Sequence, residues 1–197
     1  MKKLILSDLM NIYEYEKVRN SFRKNIIAYK MQRRFQLGST ILITFENRRT
    51  MKYQILEMMR AERLVDELKI QHELDVYNSL LPEENELSAT LFIEITAEEQ
   101  IQDLLHKFVG LTEGQAVYLK IGDEKVMAEF EEGRETADKI SSVHYIRFRF
   151  SRQQINRMAN DGNEISIGID YKEYQQERTL NKSEKSNLLS DFDHYSD

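Results

Sequence analysis

The stretch QHELDVYNSLLPEENELSATLFIEI, residues 71–95, gathers His72, Glu73, Asp75, Glu83, Glu84, Glu86 and Glu94 around Pro82, the one proline of the chain. Imidazole with carboxylates suits iron, manganese or zinc. HELDV begins like the zinc-protease motif, which needs a second histidine four residues on so that both rings face one metal. Position 76 is Val76, so that motif fails. A ferritin-like di-iron site needs Glu-x-x-His pairs from two helices plus two further glutamates. The nearest approach, Asp103-x-x-His106, is single and carries the wrong acid. What remains is a site assembled from several elements. Glu57 on one helix, His72 and Glu73 on the next, and Glu94 on the polar face of a strand would share a metal if the helices form a hairpin with His72 and Glu73 facing inward. The plainer alternative is a Glu57–Arg60 ion pair at i,i+3, with Glu73 facing water.

Ser88 and Thr90 fall on the same strand face as Glu94 and are candidate ligand contacts. Clustered carboxylates repel and need a compensating charge when buried, which Arg48 or Arg60 would supply in place of a metal. Glu46-Asn47-Arg48 sits where a strand meets a helix start. Asn47 is a natural cap there, and Arg48 with Arg49 beside open helix N–H groups would make an anion pocket. Against this stands a cap with an internal Arg–carboxylate bridge, the favoured alternative. His144 shares a strand face with Ile146, Phe148 and Phe150, so a buried histidine satisfied by a hydrogen bond is expected. No Gly-rich phosphate loop is present, and nucleotide binding is unsupported.

These residues sit in a 197-residue chain that is 41% hydrophobic and 31% charged, an ordinary globular balance. It has no cysteine, which excludes disulfides, thiolate catalysis and any Cys-ligated cluster. The net charge of −6 hides an asymmetry: residues 1–60 carry 13 basic and 5 acidic side chains, the rest 15 and 29. Docking of the basic region onto the acidic remainder is the expectation. Nucleic-acid binding is not expected, because no zinc finger or RNP motif accompanies the basic region. The apolar run in MKKLILSDLM is broken by Asp8, too short for a secretory signal, and no segment reaches the roughly 18 apolar residues of a membrane span. A cytoplasmic location follows as the expectation.

The elements that must position these side chains are readable from periodicity. Asn11 and Glu14 open a helix on which Ile12, Tyr15, Val18, Phe22, Ile26 and Tyr29 form one stripe, with Arg34 near its end and Gly38 closing the region. STILITF (39–45) reads as a strand, and TMKYQILEMMRAERLVDEL as a helix with Ile55, Met58, Met59, Glu62 and Val65 near one face. A third helix runs from about Ile70 to Leu81, where Pro82 stops it. In ELSATLFIEI (86–95) Leu87, Ala89, Leu91, Ile93 and Ile95 point one way, Ser88, Thr90, Phe92 and Glu94 the other. Thr96 and Glu99 form a capping box for a helix ending near Gly110. The chain then turns β-rich: AVYLKI and KVMAEF flank a Gly122-Asp123-Glu124 turn, VHYIRFRF alternates, Ser151 and Gln154 cap a short helix, and EISIGID and YKEYQQERTL close the series. The fold class predicted is α+β. A helical N-terminal part, a long amphipathic helix plus a helical hairpin, packs on a mostly antiparallel sheet with short helices. Residues 1–180 make one domain, helix-rich to about 110, and 181–197 a loosely ordered tail in which Leu188, Leu189 and Phe192 dock at most a final turn.

The segments FENRRTMKYQILEMMRAE and IQHELDVYNSLLPEENELSATLFIEI, with HKFVGL and SSVHYIRF further on, resemble a bacterial family catalogued as domain of unknown function 3501. The matching residues include Glu46, Asn47, Arg48, Tyr53, Gln54, Glu57, Arg60, His72, Glu73, Tyr77, Asn78, Ser88, Ala89, Thr90, Glu94, His144 and Tyr145. The likeness covers nearly the whole chain and weakens toward its C-terminus. It supplies no mechanism. It implies an association with rubrerythrin-like and iron–sulfur oxidoreductase proteins in redox or peroxide defence. The expectation is therefore an accessory or binding protein working beside iron-dependent enzymes. The alternative is a metal-dependent enzyme, a hydrolase or oxygen-handling protein, using Glu57, His72, Glu73 and Glu94 with iron, manganese or zinc.

Overall fold

A computed structural model describes residues 1–94, 101–133, 135–136 and 139–193. The Thr96–Glu99 capping box lies outside the described residues. Strands β1 (Arg34–Leu37), β2 (Ile41–Glu46), β3 (Glu86–Ile93), β4 (Val117–Ile121), β5 (Glu124–Phe130), β8 (Val143–Arg149), β9 (Ile165–Tyr171) and β10 (Tyr174–Thr179) form one sheet, and β6 (Glu135–Thr136) pairs separately with β7 (Lys139–Ile140). The order is β1-β2-β3-β8-β5-β4-β9-β10, and every pairing is antiparallel. Together with the helices this makes the chain α+β.

The sheet curls until its first and last strands meet, so it is barrel-like. That seam is closed by side chains. The Tyr174 hydroxyl donates to the Leu37 carbonyl and accepts from the Thr40 and Ile41 N–H groups at 3.2 and 3.3 Å, while Arg178 donates to the Arg34 carbonyl at 3.3 Å. Gly38 turns β1 into β2 at φ +64°, and a Cβ there would stand 2.6 Å from the Tyr174 hydroxyl. Only a glycine satisfies both the left-handed backbone and that approach. Sequence reading places Arg34 on the first helix, whereas Arg34–Leu37 is a strand. In RFQL, Phe35 and Leu37 are buried and Arg34 and Gln36 exposed, a two-residue alternation in a run too short to stand out beside a long helix.

An eight-stranded barrel encloses about enough room for side chains to fill. Here the inward residues do fill it: Ile43 and Phe45, Leu87 and Leu91, Leu119 and Ile121, Phe148, Ile165 and Ile167 belong to one buried cluster. The alternation expected for β3 is seen, with Leu87, Ala89, Leu91 and Ile93 in this cluster and Ser88 and Thr90 outside it. His144 is also inward-facing and fully buried, and its Nε2 donates to the Ser141 carbonyl at 2.7 Å. His144→Ala is expected to cost about 1–3 kcal/mol, through a cavity and an orphaned carbonyl. Equilibrium urea unfolding checks this: a midpoint unchanged from the native protein would remove His144 from the core.

Three helices stand outside the barrel: α1 (Ile12–Met31), α2 (Arg48–Glu62) and α3 (Glu67–Ser79). Met51, Ile55, Leu56 and Met59 of α2 and Ile70 and Leu74 of α3 join Leu4, Tyr15, Leu80 and Leu81 in a second buried cluster. Helix α2 is shorter than its periodicity predicts. Arg63 takes a left-handed conformation at φ 54° and ends it, so Val65, expected on the inner face, is 81% exposed. On α1 the stripe buries Tyr15 and Ile26, while Val18 faces out.

After α4 (Ile101–Lys107) and α5 (Arg152–Ala159), the last described element is α6 (Lys182–Asp193), a helix within the segment that sequence reading makes a loose tail. Asn181 accepts from the Glu184 N–H at 3.0 Å and Glu184 accepts from the Asn181 N–H at 2.9 Å, a reciprocal cap. Leu188 is buried in the barrel cluster, and Phe192 meets Phe150 edge-on at 5.4 Å. Among the described residues no helix is long and apolar enough to cross a membrane.

Candidate functional site

Helix geometry decides the fate of the proposed metal cluster. Ile70, Leu74 and Asn78 recur every four residues and form the buried face of α3. His72 lies two residues from Ile70 and from Leu74, about 200° round the helix, and is exposed. Glu73 is half-buried beside Tyr77, whose hydroxyl is pushed up first by burial and then by the Glu73 charge. Glu57 is committed elsewhere: it accepts from the Tyr15 hydroxyl at 2.6 Å and from Arg19 Nε and Nη2 at 2.8 Å each. The Arg19 hydrogen bond holds its carboxyl below the usual value, against the opposing effect of burial. Glu94 is exposed and lies 3.8 Å from Arg34. The four candidates are not brought together, and among the described residues no three His, Asp or Glu side chains are placed to hold a metal ion. Nor does the Glu57–Arg60 pair form; Arg60 Nε donates to Glu16 at 2.6 Å.

The Glu46-Asn47-Arg48 junction is a cap with an internal bridge. The Asn47 side chain accepts from the Arg49 and Thr50 N–H groups, and its amide nitrogen donates to Tyr29 at 2.7 Å and Asp191 at 2.8 Å. Arg48 lies 2.6 Å from Asp8, and Arg49 stacks over Tyr29 at 4.2 Å. Of the six ion pairs made by cations of residues 1–60, Arg19–Glu57, Lys30–Glu46, Arg48–Asp8 and Arg60–Glu16 stay within that region. Only Arg33–Asp191 and Arg34–Glu94 reach the acidic remainder, among the described residues. Most of the ion pairs this region makes among the described residues are therefore internal, not contacts with the acidic remainder.

Ser88 and Thr90 lead somewhere else. The outward side chains of four neighbouring strands line up across the barrel wall. Glu46 of β2 registers with Ser88 of β3, Ser88 with Arg147 of β8, and Arg147 with Glu129 of β5. One row on, Thr90 registers with Tyr145. These residues floor a cavity of about 190 Å³ that Met51 of α2 and Leu80, just past α3, help to enclose. At about 30 Å³ per liquid water, that is room for roughly six waters or one small molecule.

The charges around this cavity are unevenly satisfied. Glu86, buried at the edge of the same wall, accepts from Arg149 Nε at 2.7 Å, from Arg147 Nη1 at 3.0 Å and from the Glu83 N–H at 3.0 Å. Arg147 also donates to the Leu81 and Ser79 carbonyls, tying the end of α3 to the barrel, and Arg149 pairs with Glu129 at 3.0 Å. Both guanidinium groups are thereby occupied. Glu46, 4% exposed, has Lys30 Nζ at 3.4 Å and Thr90 Oγ1 at 3.5 Å, both on Oε1. Its Oε2 is buried with no partner among the described residues, and so is Ser88 Oγ, on a residue 5% exposed. Buried polar atoms are nearly always hydrogen-bonded, so two without a partner on residues that line one cavity single it out as the candidate site.

Sequence alternation finds Ser88 and Thr90 but leaves Glu46 at a helix cap and overlooks Tyr145, Arg147 and Arg149. The signal for the last three was present. In VHYIRFRF they are the residues opposite His144, Ile146 and Phe148, a polar outer face on a strand whose other face is core.

Fold and site together define the class: an α+β protein whose barrel-like antiparallel sheet carries helices and a polar pocket on its outer wall. The chain belongs to the family described as "Protein of unknown function (DUF3501)", whose model matches residues 3–192 and so reaches all but the last residue of α6. It is similar to a crystal structure described as a novel protein of unknown function from Burkholderia pseudomallei K96243. That likeness has 34% identity and a TM-score of 0.88, and covers 96% of this chain and 99% of that one. No curated protein matches the chain.

Proposed function

We propose that this protein is a binding module that takes a small polar molecule into the pocket over β2, β3 and β8, and that it serves iron-dependent redox proteins without catalysing a reaction of its own. The observation that carries the binding half is the pair of unpartnered buried atoms, Glu46 Oε2 and Ser88 Oγ, on two residues that line a cavity of small-molecule size. The partner half, rubrerythrin-like or iron–sulfur oxidoreductase proteins, rests on the family resemblance alone. The metal-dependent enzyme draws no support from the geometry, since Glu57, His72, Glu73 and Glu94 stand apart.

Amide chemical shifts of the labelled protein test the binding half. Small amines, carboxylates, polyols and ureas are each titrated in. At least one class should move the Ser88–Thr90 and Tyr145–Arg147 signals while β9 and β10 stay still, and Ser88→Leu, which fills the cavity, should abolish the response. Panels that move nothing would remove the pocket as a site. For the partner half, affinity capture from native cells should recover a rubrerythrin-like or iron–sulfur protein. Recovery of ribosomal proteins alone, lost on nuclease treatment, would overturn it.

A further inference from the structure

Resting on the pocket reading above, we infer that the ligand is a small organic cation, a primary ammonium on a short apolar body, with its charge seated on Glu46 Oε2. The sign follows from which groups are free. Arg147 and Arg149 are already engaged by Glu86, Glu129 and the carbonyls of Ser79 and Leu81. An entering anion would compete with Glu86 and Glu129 for these guanidinium groups and would face the buried Glu46 carboxylate. The unspent group is a carboxylate oxygen, and a buried carboxylate oxygen without a donor is costly until a donor arrives.

The donor count fits as well. A primary ammonium has three N–H donors and no acceptor. Glu46 Oε2, Ser88 Oγ and Thr90 Oγ1 are three acceptors carried by residues of adjacent strands that line one cavity. Glu46 already tolerates an ammonium on its other oxygen, the chain's own Lys30 at 3.4 Å. A bare divalent ion fits poorly. Calcium takes about 6–8 oxygen ligands, and magnesium a near-ideal octahedron. Among the described residues no three His, Asp or Glu side chains are placed to hold such an ion, and the lining includes the hydrocarbon of Met51 and Leu80. Those side chains suit a short alkyl body.

The experiment uses the full chain and three probes of similar size: n-propylammonium, 1-propanol and propionate, at constant ionic strength. Propylammonium should shift the Ser88–Thr90 amides saturably, and the other two should not. Glu46→Gln should weaken propylammonium at least tenfold with an unchanged unfolding midpoint. Lys30→Met, which removes the competing ammonium, should strengthen it severalfold and leave propionate without effect. That second variant keeps the test decisive should Glu46→Gln fail to fold. Saturable binding of propanol or propionate, insensitive to Glu46→Gln, would overturn the cation assignment and leave the pocket standing. No response to any probe, with native-like spectra for Ser88→Leu, means that water alone fills the cavity and overturns both.

Discussion

Asp191→Ala is expected to remove about 3–5 kcal/mol of folding stability, the largest single loss in the molecule, because it strands a buried guanidinium. Arg33 is the largest fully buried side chain and Asp191 is 1% exposed. Arg33 donates through Nη2 to Asp191, through Nη1 to the Asn187 side chain at 2.7 Å, and through Nε to the Phe45 carbonyl at 2.9 Å. Asp191 also accepts from Asn47 at 2.8 Å, so one carboxylate ties α6 to the turn after α1 and to the start of α2. Urea unfolding of Asp191→Ala should show a midpoint shift far larger than that of any exposed pair, such as Arg152–Glu84. The double variant Arg33→Met/Asp191→Leu should regain much of the loss, since a hydrophobic pair carries no desolvation cost. A single-variant loss under about 1 kcal/mol, the range of surface pairs, would show that α6 is not latched by this pair.

Glu86→Gln is expected to cost about 2–3 kcal/mol at neutral pH and to flatten the acid limb of the stability curve. Burial pushes the Glu86 carboxyl up, yet hydrogen bonds from Arg149, the Glu83 N–H and Arg147 outweigh it and hold the group below its ordinary value. A carboxyl lowered in the folded state binds fewer protons there than in the unfolded chain. Its contribution is therefore full above the unfolded value, about 4.3, and lost as pH falls through the folded one. Glu57, lowered chiefly by Arg19, acts in the same direction. Unfolding midpoints measured from pH 7 down to pH 3 should fall more steeply for the native protein than for Glu86→Gln. Parallel curves would mean that Glu86 titrates alike in both states.

Much of this molecule was legible in one dimension. Strand alternation put Ser88 and Thr90 opposite Leu87 and Ala89, and His144 on the core face, because a strand's side chains alternate whatever it packs against. The caps at Asn11, Asn47 and Ser151 were readable for the same reason: a side-chain oxygen three residues from an open N–H is a local geometry. Asn181–Glu184 is the same signal, and it marks α6, but the polar composition of NKSEKSNLLSDFDHYSD concealed a helix whose apolar contacts are few.

The sequence by itself determined the α+β class, most of the element types and the inward and outward faces of the strands. It also determined the absence of cysteine chemistry. Only the tertiary structure decided which polar side chains meet. His72, Glu57 and Glu94 are near one another in chain order or motif, yet helix phase turns His72 to solvent and Arg19, 38 residues before Glu57, claims that carboxylate. Glu46 and Ser88, 42 residues apart, become register partners because β2 pairs with β3. Arg33 and Asp191, at a separation of 158 residues, become one ion pair because α6 returns to the barrel. Periodicity reports only the face a side chain takes on its own element. Which carboxylate is neutralised, and which is left open to a ligand, depends on register and packing between distant segments, and no local pattern encodes them.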